Sequence, residues 1–174
     1  MILSQKEILE RIKNGEVKVE PFDKEQVGPA SIDLTLDNQI RVFEKKKTIF
    51  HTKEKDIFKQ YKKYTTILHL KKGGFYILKP YEMVHGITKE KITLPEDLCG
   101  WLQGRTTFAR LGLSVHVTAS FIQPGISNRQ VLEIVNFSPY EIALYPGTRI
   151  CQLVLQRMEG KAKYKGKVRN QMSP

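Results

Sequence analysis

The chain has too little cysteine for a disulfide scaffold or a structural zinc site. Its 174 residues include only two cysteines, Cys99 and Cys151, which lie far apart in apolar, strand-like contexts. Disulfide-rich folds and zinc knuckles need several cysteines at close spacing. We therefore predict that both thiols are buried and unpaired.

Long apolar runs are missing too. No stretch reaches the roughly 18 apolar residues that a transmembrane helix requires. The segment Met1–Lys6 has neither an extended apolar stretch nor a cleavage signal. These absences favour a cytoplasmic protein without a membrane partner.

Several catalytic signatures are also lacking. Zinc-dependent nucleobase deaminases carry an H-x-E and a P-C-x-x-C motif, and neither occurs here. The chain has no Walker loop, dinucleotide fingerprint or Ser-His-Asp order. Its histidines are scattered: His51, His69, His85 and His116. We therefore expect no catalytic zinc.

Acidic residues are scarce relative to basic ones. The chain has 29 Lys+Arg against 18 Asp+Glu, a net charge of +11. Such an excess favours a polyanionic partner such as nucleic acid, anionic lipid or a phosphorylated metabolite. The alternative is a lysine-rich surface of a heat-adapted protein. A stacking platform of interleaved aromatic residues is missing, so we expect no nucleic-acid partner.

What the sequence does contain is mostly short strands. Ser4–Glu7 resembles a capping box before a helix that ends at Asn14-Gly15. Alternating apolar residues then predict half-buried strands around Val17 and Ile32. The further strands are predicted around 40–42 and at 66–70, 75–79, 83–88, 91–94, 98–103, 114–117, 130–136, 142–145 and 149–156.

These elements indicate a single mostly β domain over residues 1–174, built as a barrel, sandwich or jelly roll. A short helix is predicted at 108–111. Residues 44–64 are polar and lysine-rich, and we expect them to pack loosely. The basic tail, residues 161–174, is predicted to be flexible: either a solvated terminus or a flap that closes over phosphates.

The segment Gly104–Leu113 combines two guanidinium groups with two hydroxyls. Arg105 and Arg110 offer planar donor forks that suit phosphates and carboxylates, and Thr106 and Thr107 add shorter polar groups. Their position at a strand-to-helix transition would add backbone N–H donors. The segment predicts anion binding, although surface pairing of the arginines with carboxylates is an alternative.

Glu133 is the one acidic residue in the otherwise apolar run Val131–Val135. A carboxylate in such a strand is costly unless it is paired or used. Two interpretations are open: a buried ion pair with an arginine, or a general base whose pKa is tuned by burial and a nearby guanidinium.

Four segments together resemble the dCTP deaminases of the trimeric dUTPase-like superfamily. They are MILSQKEILERIKNGEVKVEPF, VGPASIDLTLDNQIRVF, GRTTFARLGLSVHVTA and VLEIVNFSPYEIALYPGTRICQLVL. The likeness extends from Met1 nearly to the tail. It implies a distorted β-barrel or jelly roll with a short N-terminal helix, assembled as a homotrimer with active sites between subunits.

The implied reaction is the zinc-independent hydrolytic deamination of dCTP to dUTP and ammonia, which supplies dUTP for dTMP synthesis. Mg²⁺ would accompany the triphosphate, and the ligands would be nucleotides of the dCTP, dUTP and dTTP type.

The resemblance also implies roles for individual residues. Glu133 would be the general base, and Arg110 would fix this carboxylate and the pyrimidine site. Thr106 stands where the family usually has serine and would position water or the base. The implied substrate-binding residues are Arg105, Thr106, Thr107, Phe108, Ala109, Arg110, Gln123, Val131, Leu132, Glu133, Tyr164, Lys167 and Gln171.

One segment departs from the family pattern H-R-I-D-P-G-W-x-G. At the matching positions this chain has Gln123 for aspartate, Ile126 for tryptophan and Asn128 for glycine. Glutamine cannot act as a base near neutral pH. The departure favours a deaminase that stops at dUTP. A bifunctional dUMP-forming deaminase, a dUTPase and an inactive nucleotide-binding paralogue are the alternatives.

Overall fold

The structure is a computed structural model that describes residues 1–44, 47–52 and 57–174. Its helical elements are α1 (Gln5–Lys13), a 3-10 turn (Lys24–Gln26), α2 (Ile57–Lys63) and α3 (Thr106–Ala109). The strands are β1 (Lys18–Glu20), β2 (Ile32–Thr35), β3 (Gln39–Phe43), β4 (Thr65–His69), β5 (Tyr76–Leu78), β6 (Met83–Thr93), β7 (Leu98–Gly104), β8 (Leu113–Ser114), β9 (Phe121–Ile122), β10 (Ser127–Asn136), β11 (Ile142–Leu144) and β12 (Arg149–Arg157).

Two antiparallel sheets form the body of the protein. The larger has the order β4-β3-β6-β10-β8, with β1 also paired to β6, and the smaller has the order β2-β12-β7-β9. A two-stranded ladder joins β5 and β11. One hydrophobic cluster contains residues of both sheets, among them Leu34, Leu132 and Leu153. The predicted mostly β class is confirmed, and the described sheets share a core without closing into a barrel.

Several predicted boundaries differ from the observed ones. The strands expected at 83–88 and 91–94 form one continuous strand, β6. The strand expected at 114–117 ends at Ser114, because the N–H groups that follow bind a side chain instead of a neighbouring strand. The capping box expected at Ser4 is not formed, since the Ser4 side chain makes no cap hydrogen bond and Glu7 pairs with Arg157.

The lysine-rich stretch contains a helix that the sequence analysis missed. Residues 45–46 and 53–56 of this stretch lie outside the described residues. The helix α2 exposes Ile57 and Phe58, whereas Tyr61 contacts the larger sheet through a hydrogen bond to His85. None of the residues of α2 is buried, which agrees with the loose packing expected, and Tyr61 is a point at which the helix attaches to the sheet.

The C-terminal tail lies along the start of β10. Ser127 and Arg129 donate their backbone N–H groups to the carbonyls of Arg169 and Gln171, at 3.1 and 2.9 Å. Arg41 donates to the carbonyl of the buried Pro174 at 2.7 Å. The predicted flexibility of the tail stays a prediction, and movement would require these bonds to break.

Two smaller expectations concern burial and length. Cys99 and Cys151 are both buried and unpaired, as predicted. Within the described residues, no helix is both long enough and apolar enough to span a membrane.

Candidate active site

Glu133 accepts four hydrogen bonds from the loop that follows β8. Its Oε2 accepts the backbone N–H groups of Val117, Thr118 and Ala119 at 2.8, 2.7 and 3.2 Å. Among the described residues, its Oε1 accepts from the Thr118 hydroxyl alone, at 2.9 Å. A carboxylate oxygen has two lone pairs, so Oε1 keeps an acceptor site for a water molecule. The ion pair with an arginine that the sequence left open is not formed within the described chain.

These bonds set the ionisation of Glu133. Burial raises the pKa of its carboxyl, but the hydrogen bonds from Thr118, Val117 and Ala119 outweigh burial and lower the pKa from 4.5 to about 2. The carboxylate is therefore ionised at any physiological pH, and it can accept a proton without first losing one.

The lowered pKa predicts a specific pH dependence of stability. The folded protein holds the carboxylate form more tightly than the unfolded chain does. The stabilisation is therefore fully present above pH 4.5 and is lost as the pH falls through about 2. A Glu133→Gln protein lacks this titration. The difference in free energy of unfolding between the two proteins, measured by urea denaturation, should shrink as the pH falls below 4.5. If the difference in free energy of unfolding stayed constant as the pH fell from 4.5 to about 2, this prediction would be wrong.

Glu133 belongs to a row of polar side chains across the larger sheet. In the strand register, Glu133 on β10 lies opposite His85 on β6, and His85 lies opposite Arg41 on β3. Directly opposed residues of antiparallel strands share one face of a sheet. His85 and Arg41 were not among the predicted site residues. Their local signal was weaker than that of Glu133: Arg41 lies between Ile40 and Val42, and His85 follows Val84, but both strands contain other polar residues.

A cleft of about 640 Å³ opens beside this row: His85 is among its lining residues, and Glu133 is not. The cleft lies between α2 and the C-terminal tail. Of the predicted substrate-binding residues, Val131, Lys167 and Gln171 line it. The lining also includes His85, and α2 contributes Tyr61 and Lys62, which the sequence analysis had not assigned to a site.

The arginine-rich segment lies elsewhere in the subunit. It follows β7 of the smaller sheet, and Ala109 lines a second cleft of about 550 Å³. Arg105 donates to the Arg149 carbonyl at 2.6 Å and lies 3.4 Å from the Asp33 carboxylate. Thr106, Thr107 and Arg110 are exposed, and Phe108 packs against the core. Within the described residues, no hydrogen bond or ion pair joins Arg110 to Glu133.

Gly112 sets the direction in which the chain leaves α3. Its φ is +79°, and a Cβ there would lie 3.0 Å from the backbone nitrogen of Ser138. A larger residue would strain the turn into β8 and the loop that binds Glu133.

The segment that departs from the family pattern has structural partners of its own. Gln123 is exposed at the end of β9, whereas Ile126 is buried. Asn128 donates to the Val168 carbonyl at 2.7 Å and accepts from Gln130 at 2.6 Å. Asn128 therefore connects β10 to the tail. Tyr164 packs against the core, and its backbone N–H bonds the Pro124 carbonyl.

The described residues contain no group of three or more His, Cys, Asp or Glu side chains that could hold a metal ion.

Leu132, one of the predicted substrate-binding residues, turns its side chain into the core. Its backbone is therefore the part of Leu132 that could contact a ligand.

Comparison with known proteins places this geometry in context. The family model described as dCTP deaminase-like matches residues 2–158. A Mycolicibacterium vanbaalenii protein called "dCTP deaminase, dUMP-forming" is 40% identical over 94% of this chain and 84% of its own length. A Methanobrevibacter smithii protein of the same name is 35% identical over 90% of this chain and 80% of its own length.

Among solved structures, the 2'-deoxycytidine 5'-triphosphate deaminase from Agrobacterium tumefaciens superposes with a TM-score of 0.69 at 21% identity. The match covers 91% of this chain and 48% of that one, so this chain spans about half the length of the Agrobacterium protein. At this identity the likeness concerns the fold alone.

Proposed function

Because the chain belongs to the dCTP deaminase-like family, we propose that it catalyses the hydrolytic deamination of dCTP. The observation that carries the proposal is the environment of Glu133. This carboxylate is ionised, fixed by four hydrogen bonds and open to a water molecule at Oε1. A base held in this way can orient water without rearranging during the reaction.

The proposed reaction replaces the exocyclic amine of cytosine with oxygen. Glu133 takes a proton from a water molecule as the water oxygen bonds to C4 of the ring. The carboxyl gives this proton to ring N3, then takes the proton of the new C4 hydroxyl and passes it to the amine. The C4–N bond breaks, ammonia leaves, and the C4 oxygen becomes the carbonyl of uracil. Thr106 and Arg110 would orient the base and this carboxylate, while Arg105, Thr107, Lys167 and Gln171 would bind the phosphates.

The proposed site is shared between subunits of a homotrimer. The support is the separation of the candidate residues within one chain. Val131, Lys167 and Gln171 line one cleft, whereas Ala109 lines another and Arg110 is exposed beside it. An exposed Arg110, separated in its own subunit from the residues that line the first cleft, suits a contribution to a neighbour's site.

The proposed product is dUTP. The exposed Gln123 amide is neutral and holds no proton-accepting carboxylate with which to activate water against the triphosphate. A second candidate is a bifunctional enzyme that continues to dUMP, and the names of the Mycolicibacterium and Methanobrevibacter relatives favour it.

Mg²⁺ is proposed as the companion of the triphosphate. At the arginine-rich segment the carboxylate donor is Asp33, which Arg105 already engages. One engaged carboxylate is too few protein ligands to hold a cation by itself. It suits Mg²⁺ that is coordinated mainly by phosphate oxygens and water. When bound, the ion would neutralise phosphate charge.

The proposal predicts ammonia release from dCTP in the presence of Mg²⁺. Activity should survive phenanthroline and be lost when EDTA removes Mg²⁺, because the described residues offer no zinc ligand set. A coupled assay for ammonia measures both effects. Nucleotide binding without ammonia release would indicate the inactive paralogue, and stoichiometric zinc whose removal abolishes activity would contradict the metal assignment.

A further inference from the structure

Among the described residues that line the cleft between α2 and the tail, His85 is the one imidazole, and its ring is held from several sides. Tyr61 of α2 forms a hydrogen bond to its Nδ1. Phe43 contacts the ring edge to face, with centroids 5.2 Å apart. Arg41 and Glu133 flank it on the neighbouring strands. An imidazole restrained in this way has a defined orientation.

The hydrogen bond to Tyr61 links the ring's tautomer to a hydroxyl that stays protonated. Burial raises the pKa of the Tyr61 hydroxyl to about 12, so this group keeps a hydrogen that it can donate, and we assign it as the donor to Nδ1. Burial lowers the pKa of His85 from 6.5, against an opposing effect of Glu133, and Arg41 lowers it further. A neutral imidazole that accepts at Nδ1 carries its hydrogen on Nε2. Among the described residues, none accepts a hydrogen bond from Nε2.

We propose that His85 is a specificity-determining residue that donates its Nε2–H to the pyrimidine ring of the bound nucleotide. The inference rests on the proposed function for the identity of the ligand. His85 lines the same cleft as Val131, Lys167 and Gln171, so a nucleotide whose phosphates contact the tail lies against the sheet face that carries His85. Tyr61 is then a positioning residue, which acts by holding the tautomer of His85.

Two acceptors on the ring suit this donor. The carbonyl O2 is present in both cytosine and uracil. N3 is an acceptor in cytosine but carries a hydrogen in uracil, so a contact to N3 would favour substrate over product. Both contacts share the same chemistry, and binding measurements with the two nucleotides distinguish them.

The test compares three changes at the ring with one control. His85→Leu removes the donor and keeps an apolar side chain of similar bulk. His85→Gln carries an amide N–H at about the reach of Nε2 and should restore binding. Tyr61→Phe removes only the hydroxyl that holds the tautomer. His69→Leu removes an exposed imidazole on β4 and serves as the matched control. Binding is measured by calorimetry in a Glu133→Gln background, where we expect dCTP to be consumed at least about 10²-fold more slowly.

We expect His85→Leu to weaken dCTP binding about fivefold, since this is the usual effect of losing one neutral hydrogen bond. His85→Gln should recover most of the loss, and His69→Leu should have no effect. An equal loss for dUTP assigns the contact to O2, and a loss confined to dCTP assigns it to N3. Unchanged affinity for both nucleotides in a folded His85→Leu protein would overturn the inference.

A second readout does not depend on turnover. The ¹⁵N chemical shifts of the imidazoles report the tautomer, and the His85 signals are assigned by their loss in the His85 variants. We expect hydrogen on Nε2 in the wild-type protein, a mixture of tautomers in Tyr61→Phe, and a shift of the Nε2 signal when dCTP binds. Hydrogen on Nδ1 would overturn the inference even if His85→Leu failed to fold.

The two proposals can fail separately. A wild-type protein that binds dCTP but releases no ammonia contradicts the proposed function and leaves the His85 comparison valid. A wild-type protein that deaminates dCTP while the His85→Leu change alters neither affinity nor kcat contradicts only the role of His85. A protein that binds no pyrimidine nucleotide contradicts both.

Discussion

A Glu133→Gln protein should fold, bind dCTP within about tenfold of wild type and release ammonia at least about 10²-fold more slowly, since general base catalysis typically contributes 10²–10⁴-fold. The amide oxygen can occupy the position of Oε2 and accept the N–H groups of Val117, Thr118 and Ala119. The amide nitrogen then faces the Thr118 hydroxyl, which can accept a hydrogen bond. The loop is therefore retained, and only the proton acceptor is lost.

Single-turnover ammonia release and calorimetric binding of dCTP measure the two parts of this expectation. Thermal unfolding at neutral pH serves as the control for the fold. If turnover in Glu133→Gln stayed near that of the wild-type protein, Glu133 would not be the base.

The same variant tests whether sites are shared between subunits. Co-expression of Glu133→Gln and Arg110→Ala chains should restore activity. A shared site is intact when the subunit that supplies Glu133 carries Arg110→Ala and the subunit that supplies Arg110 carries Glu133→Gln. Random assembly makes this true of about a quarter of the sites in a closed ring of identical subunits. The matched control is co-expression of Arg110→Ala chains with Arg105→Ala chains. Both arginines lie on one segment and come from the same subunit, so every site in this mixture lacks one of them and activity should not return. No recovery in the first mixture would place the complete site within one chain.

Ammonia release from dCTP should exceed pyrophosphate release by about 10²-fold or more, with dUTP accumulating, because the cost of lacking a general base is of that order. The reason is Gln123, whose exposed amide stands where the family pattern has aspartate. Chromatography of the products together with a pyrophosphate assay measures the ratio.

Gln123→Asp is the natural companion experiment. It should raise pyrophosphate release from dUTP only slightly, because Ile126 is buried and Asn128 is bonded to the tail, so the surrounding loop also differs from the pattern. Pyrophosphate release by the unmodified protein at the rate of ammonia release would assign the chain to the dUMP-forming enzymes of its relatives.

Alternation of apolar and polar residues was enough to predict most of the strands. This pattern is local, because side chains on a strand alternate between the core and the other face. It located β2, β3, β7 and β12 to within a residue or two. It did not predict the end of β8, because there the backbone N–H groups pair with Glu133, a residue more than a dozen positions further along the chain.

The sequence by itself identified the family, the mostly β class and Glu133. Glu133 is the one acid in the apolar run Val131–Val135, and burying a carboxylate costs free energy unless it has a binding partner or a catalytic role. Only the tertiary structure decided what that partner is: the carboxylate binds a loop of its own chain and not an arginine. The structure also placed His85 and Tyr61 in the cleft and separated Arg110 from it. These relations depend on strand register and on how α2 and the tail lie across the sheet. They join residues far apart in sequence, so no local pattern in the chain contains them.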